Sequence, residues 1–279
     1  MRKLFLLLAL AAMVSCNDDD GHIPVNQSVV NAFNAKYPNA NNTQWSDQQG
    51  YSVASFQESQ AGDAAYNSQA WFTSNGTWHM TVTDIPFSAL PEAVKSAFAA
   101  SEYADWYVDE VDKVERASAA TIFVIEVELK GANPEQEWDL YYAEDGTLIK
   151  TEQTEGSPIY SPQAPNGSIE EFIAAEYPNA TILDFEREGG VTEVDILDGG
   201  VVRELYFDGS GTWIRTETEL RPSQLPDAVK QVIASSEYAS WKIDDVTLVE
   251  DATGEYYLVE LEQGEREVEL KIVPSGEVM

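Results

Sequence analysis

The sequence predicts an α+β fold of two tandem domains, each made of helix-plus-antiparallel-sheet repeats. Three observations predict it: an internal duplication, strict two-residue alternation in the strand segments, and short amphipathic helices at matching places in both copies. Residues 71–106 (WFTSNGTWHMTVTDIPFSALPEAVKSAFAASEYADW) and 206–241 (YFDGSGTWIRTETELRPSQLPDAVKQVIASSEYASW) align without gaps, and 18 of the 36 positions are identical. A period above 100 residues is too long for a solenoid unit and implies duplicated domains.

The first segment, MRKLFLLLALAAMVSC, has a basic start at Arg2 and Lys3, an apolar run from Leu4 to Val14, and then Cys16. A run this short reads as a secretory signal peptide over residues 1–15 rather than a membrane span. It resembles the bacterial lipoprotein type, in which Cys16 carries the lipid, although Met13 stands where Leu is usual. Cys16 is the only cysteine, so no disulfide can form within the chain. Residues 16–27 are then a lipidated acidic tether. Its Asn17-Asp18-Asp19-Asp20 resembles the export signal that sends Bacteroidetes lipoproteins to the cell surface, and an ordinary acidic tether accounts for it equally.

A first domain is expected over 28–153 and a second over 168–279. Val29, Phe33 and Tyr37 align with Ile169, Ile173 and Tyr177, and both segments continue as YPNA. The residue before a proline leaves the helical region, so these helices end at Tyr-Pro. A second helix type follows Ser88 and Ser223, with Pro91 and Pro226 in the first turn and serine as the expected cap. Val94/Phe98 and Val229/Ile233 form its apolar stripe. Phe123, Ile125, Val127 and Leu129, then Trp138, Leu140 and Tyr142, alternate with polar residues, as do Val268, Leu270 and Ile272. Period two means one buried face and one wet face. Asn75-Gly76, Asp145-Gly146, Ser210-Gly211 and Ser275-Gly276 mark hairpin turns. The polar stretches 57–68 and 131–136 hold insertions of the first copy, as surface loops tolerate. Residues 154–167, rich in Pro, Gly and Ser, read as an interdomain spacer.

Charge excludes one class of partner. With 16 Lys+Arg against 49 Asp+Glu, the net charge is −33, which rules out nucleic-acid binding through phosphates and leaves the lipid as the only link to a membrane. A basic protein partner, or Ca²⁺, is compatible with it. Catalytic signatures are missing. The two histidines are His22, in the tether, and His79, expected on the wet face of a strand. No Zn cluster or glycine-rich phosphate loop is present. Asp195-Ile196-Leu197-Asp198-Gly199 is the nearest approach to a calcium loop and is a poor match.

The candidate residues lie on the polar face of the alternating strands. Glu126 and Glu128 alternate with one apolar run, and Glu137, Asp139 and Tyr141 with the next. Glu260 and Glu262, then Glu267 and Glu269, repeat the pattern in the second copy. If these strands are adjacent, each domain carries an acidic sheet face bordered by tyrosine, and like charges across a strand pair cost stability. Solvation of the face, a protein partner or bound Ca²⁺ would each offset that cost. The repeated Trp78/Trp213 and Trp106/Trp241 are expected in the core. Trp78, Met80 and Val82 form an apolar face whose equivalents are Trp213, Arg215 and Glu217, so that face is expected to be covered in one copy or wet in the other.

Together the signal with Cys16, the FxxxYP helix (Phe33–Pro38, with Ile173–Pro178 as its echo), the LPxAVK helix (Leu90–Lys95, Leu225–Lys230) and the Gly-Thr-Trp hairpins at Trp78 and Trp213 resemble the PepSY-like, β-lactamase-inhibitor-protein-like family of Bacteroidetes envelope lipoproteins. The resemblance covers residues 28–279. It implies two helix-on-sheet units per domain and no catalysis or cofactor. The resulting expectation is a non-catalytic outer-membrane lipoprotein, facing the cell surface or the periplasm, that binds or inhibits an envelope or extracellular protein through its sheet faces. The alternative is a Ca²⁺-binding or Ca²⁺-responsive envelope protein.

Overall fold

The computed structural model describes residues 25–59, 65–131, 136–154, 160, 162, 167–264 and 266–279. The signal peptide, Cys16 and nearly all of the tether lie outside them, as do parts of both insertions and most of the spacer. The first half runs α1 (Gln27–Lys36), β1 (Ala40–Gln48), β2 (Tyr51–Ser59), β3 (Ala65–Phe72), β4 (Trp78–Asp84), α2 (Glu92–Ala100), β5 (Tyr107–Arg116), β6 (Ile122–Leu129), β7 (Gln136–Ala143) and β8 (Leu148–Thr154). The second runs α3 (Gly167–Glu176), β9 (Thr181–Glu188), β10 (Val191–Asp198), β11 (Val201–Phe207), β12 (Trp213–Glu219), α4 (Asp227–Ala234), β13 (Lys242–Asp251), β14 (Gly254–Gln263) and β15 (Arg266–Ile272). Each half is one antiparallel meander, of eight strands in the first and seven in the second. Val278, the equivalent of Leu148 at the start of β8, makes a single bridge to Ile272.

The predicted helix stripes face the sheets. Val29 and Phe33 of α1 pack on Ala54, Phe56, Ala70 and Phe72. Val94 and Phe98 of α2 pack on Phe123, Ile125, Val127 and Leu140. Burying a side chain of this size contributes roughly 1.5–3 kcal/mol, and the same apolar positions recur under α3 and α4. Each helix also rests on a hairpin. Gly146 has φ +88° and lies so close to α2 that a Cβ would come within 2.6 Å of the Ala93 carbonyl oxygen; at Gly76 the Ser28 carbonyl oxygen would be 2.8 Å away. Glycine is required there both for the turn and for the close approach.

Several expectations are corrected. Ser88 and Ser223 do not cap α2 and α4: they sit inside short 3₁₀ turns, Phe87–Ala89 and Pro222–Gln224, and Pro91 and Pro226 are the N-cap residues, without a side-chain cap. The tether ends before residue 27, because Asn26 caps α1 by accepting a hydrogen bond from the Ser28 N–H. Trp78 does not share a face with Met80 and Val82. A bulge pairs Phe72 with Trp78 but Trp71 with Met80, so Trp78 joins the core under α1 while Met80 and Val82 lie on the helix-free face. A bulge inserts one residue and shifts the alternation. The spacer is not free of the sheet: the Tyr160 hydroxyl donates to Asp112 Oδ2 at 2.9 Å, and the Pro162 carbonyl lies 3.1 Å from His79 Nδ1. His79 is accordingly half-buried, edge-on to Tyr51.

The helix-free face of the first sheet is partly covered by the second half. Val53, Trp71, Met80, Val114, Val124, Tyr141 and Ile149 form a core with Leu183 of β9, and Leu197, Val202 and Tyr160 pack at its margin. The Ala120 N–H donates to the Ile182 carbonyl at 2.8 Å, tying the β5–β6 turn to β9.

Candidate functional site: carboxylate rows beside an amide-lined cleft

The helix-free faces carry carboxylates in registered rows. In the first sheet Glu110, Glu126, Asp139 and Glu152 are successive cross-strand partners over β5 to β8. In the second, Asp184, Asp195, Glu204 and Glu217 do the same over β9 to β12. Directly opposed like charges destabilise a sheet, so the neutralising groups matter. The second row has three cations. Arg116 pairs with Asp184 at 2.8 Å, Lys150 reaches Glu186 at 2.7 Å and Asp184 at 3.7 Å, and Arg215 pairs with Glu217. Burial alone would lower the Lys150 ammonium, but Asp184, Asp195 and Glu186 hold it above its ordinary value.

In the first row Lys150 also serves Glu152, at 2.9 Å. Among the described residues no Lys or Arg forms an ion pair with Asp84, Glu110, Asp112 or Glu126. Burial, reinforced by Asp109 and Glu110, pushes the Glu126 carboxyl up to about 7. Burial pushes Asp112 up to about 6 against the opposing Tyr160 hydrogen bond, with Glu110 and Asp84 adding to the rise. Glu110 is raised by burial and then by Asp84 and Asp109. Burial is the main cause in all three, and the neighbouring carboxylates add to it.

The predicted residues therefore divide. β6 is adjacent to β7, and β14 to β15. Glu126 and Glu128 lie directly across from Asp139 and Glu137, and Glu260 and Glu262 from Glu269 and Glu267. Glu126, Asp139 and Tyr141 are buried, however, and Glu128 and Glu137 are half-buried. Solvent reaches the second-copy surface instead: Glu260, Glu267 and Glu269 are exposed and Glu262 is half-buried. Met80 is fully buried whereas Arg215, its equivalent, keeps 35% of its side-chain exposure. Met80 is thus covered, whereas Arg215 and Glu217 in the second copy are half-buried; Trp78 and Trp213 do not share that face.

Sequence reasoning missed the cleft beside the first row. It has a volume of about 740 Å³ and lies on the helix-free face of β1 to β5. One end is acidic, with Asp84, Glu110 and Asp112; the other is lined by amides including Gln44, Asn67 and Gln69; Trp71 and Tyr160 also line it. A ladder of side-chain amides crosses three strands there: Asn42 Nδ2 donates to Gln57 Oε1 at 2.9 Å, and Gln57 Nε2 to Asn67 Oδ1 at 3.1 Å. A smaller depression continues past Asp84 and Glu110 toward Phe87. The available signal was the i, i+2 run of uncharged polar residues in β1–β3, which reads from sequence as ordinary solvated surface. Among the described residues no group of three or more His, Cys, Asp or Glu side chains is placed to hold a metal ion. No helix among them is long and apolar enough to cross a membrane.

A family model described as "Putative beta-lactamase-inhibitor-like, PepSY-like" matches residues 51–150 and again 190–279. The chain belongs to this family. The two matches fall one on each sheet, so the PepSY-like unit is present twice. A BLIP-like protein from Bacteroides fragilis is 32% identical, matches 53% of this chain over 100% of its own, and has a TM-score of 0.46. A DUF2874 family protein from Bacteroides ovatus is 33% identical over 46% of this chain and 86% of its own, with a TM-score of 0.40. A protein from Bacteroides thetaiotaomicron described as a "putative calcium-regulated periplasmic protein" is 14% identical, with a TM-score of 0.21. A search of the curated proteins returns no match.

Proposed function

We propose that this PepSY-like chain is a non-catalytic envelope lipoprotein, anchored through Cys16, whose helix-free sheet faces bind a protein. The observation that carries the reading is the exposed surface of β13–β15. Glu260 and Glu269 face each other there, as do Glu262 and Glu267, and the one ion pair they make among the described residues joins Glu262 to Lys242 at 2.7 Å. Such a surface favours a basic partner and speeds its encounter. The reading is tested by photo-crosslinking from position 258, two residues from Glu260 on β14, in intact envelopes. A discrete cross-linked protein is expected, and it should disappear when Glu260, Glu267 and Glu269 are replaced by Lys. Crosslinking that survives the reversal removes the acidic face from the explanation. The calcium alternative is separated by thermal unfolding: a rise in Tm with Ca²⁺ but not Mg²⁺ would support it, since only binding to the native state stabilises.

A further inference from the structure

We infer that the amide-lined cleft of the first sheet is a binding site for a basic side chain, lysine or arginine, presented on an extended polypeptide segment. The inference deepens the protein-binding reading above and rests on it, while placing the specific contact on the opposite half of the molecule.

Three observations converge. The first is the missing counter-charge. Asp84 and Asp112 are direct cross-strand partners, as are Glu110 and Glu126, and no cation of the described chain pairs with any of the four. The row Asp184, Asp195, Glu204 and Glu217 has Arg116, Lys150 and Arg215. In the first row Lys150 pairs with Glu152 at one end, while Glu110 and Glu126 at the other have no ion pair among the described residues. The second observation is Glu126. It is 8% exposed, and its Oε2 has no hydrogen-bond partner. A buried carboxylate oxygen without a partner is costly, and this one lies directly across the strand pair from Glu110, whose side chain lines the cleft.

The third is the shape and polarity of the rest of the cleft. About 740 Å³ admits a long side chain with its flanking backbone. The amide ladder ends at Asn42 Oδ1 and Asn67 Nδ2, neither of which makes a further hydrogen bond among the described residues. One end therefore offers an acceptor and the other a donor, the pair that a peptide unit requires. The apolar stem of a lysine or arginine would lie along Trp71 and Val82, with its charged head among Asp84, Glu110 and Asp112. A guanidinium or ammonium brings several N–H donors to carboxylates that lack them. A neutral sugar would leave the charge uncompensated, and the carboxylates are not arranged around a metal position.

The test uses the purified chain and the peptide acetyl-Gly-Ser-Arg-Ser-Gly-amide, with its citrulline counterpart as an uncharged analogue of similar shape, by titration calorimetry at physiological salt. Saturable binding of the arginine peptide is expected, with the citrulline peptide weaker by roughly tenfold or more. Asp84→Asn/Glu110→Gln/Asp112→Asn should weaken binding by a similar factor. The charge-matched Glu170→Gln/Glu171→Gln/Glu176→Gln, exposed on α3, should leave it within about twofold, because screened charges beyond the Debye length of about 8 Å contribute little. Both triple variants remove carboxylate repulsion, and their unfolding curves verify the fold. Absence of saturable binding, equal losses in both triples, or binding of Ca²⁺ in place of the peptide would each overturn the inference. If it fails while the crosslink from position 258 persists, the protein-binding reading stands and only the cleft assignment falls.

Discussion

Arg116 of β5 meets Asp184 of β9 at 2.8 Å, with side chains 3% and 2% exposed, and joins the two copies of the duplicated unit. Neither residue belongs to the segment in which the copies match most closely. Asp184 also lies 3.7 Å from Lys150 and directly across from Asp195, so the contact between the halves is an ion network set into the apolar core around Leu183.

Breaking that pair from one side should be severe. Arg116→Ala leaves Asp184 buried beside Asp195, and removing one partner of a buried ion pair costs about 3–5 kcal/mol. Arg116→Leu combined with Asp184→Leu should recover much of the loss, because no uncompensated charge remains. Urea unfolding of the single and double variants checks this. A double variant no more stable than Arg116→Ala would contradict it.

The carboxyl row makes stability depend on pH in the direction opposite to a salt-bridged acid. Glu126, near 7, and Asp112, near 6, bind protons more tightly in the folded chain than in the unfolded one, where such groups titrate near 4. Their favourable contribution is complete below about pH 4 and is lost as pH rises through about 7. Glu193 in the second sheet, raised to about 7 mainly by burial, adds to the same trend. Thermal unfolding should show a Tm that falls between pH 5 and pH 8. Glu126→Gln should raise stability at pH 8 by on the order of 2 kcal/mol and have little effect at pH 4.5. A flat profile in both proteins would show that this cluster is not held as described.

Hairpin glycines under the helices should be intolerant for a reason separate from the turn. Gly146 and Gly190 have nearly the same φ, +88° and +87°, but a Cβ at Gly146 would meet the Ala93 carbonyl oxygen at 2.6 Å whereas nothing lies within 4 Å of one at Gly190. Gly190→Ala should cost about 1 kcal/mol from conformation alone. Gly146→Ala should cost about 2 kcal/mol more, because α2 must move. Chemical denaturation of the two variants isolates the difference.

One small network recurs in both copies. Thr81 Oγ1 accepts from Trp78 Nε1 at 2.8 Å and is hydrogen-bonded to the Tyr37 hydroxyl. Thr216 holds Trp213 at 3.0 Å and Tyr177 at 3.2 Å in the same way. The Tyr-Pro helix end is thereby tied to the Gly-Thr-Trp hairpin. Thr81→Val and Thr216→Val keep the shape but strand two polar groups, so each should cost about 2 kcal/mol. Losses that differ widely between the two would show that the copies do not share the device.

The sequence by itself determined what repeats and alternates. Duplication set the number of units, the i, i+4 stripes Val29/Phe33 and Val94/Phe98 located the helices, and period-two alternation placed Phe123, Ile125 and Val127 opposite Glu126 and Glu128. These are local patterns, and a helix or strand buries its apolar positions wherever it packs. Which polar face meets water was a tertiary decision. Glu126 and Asp139 read like Glu260 and Glu269, but contact with Leu183, Leu197 and Tyr160 covers much of the first face, whereas the β13–β15 part of the second stays open. The bulge that separates Trp78 from Met80 was equally hidden, since one extra residue reverses every later side chain without altering the residue types. The cleft and its unpaired carboxylates arise from strands distant in sequence, β1 to β5, and burial and counter-charge there depend on neighbours that only the folded chain brings together.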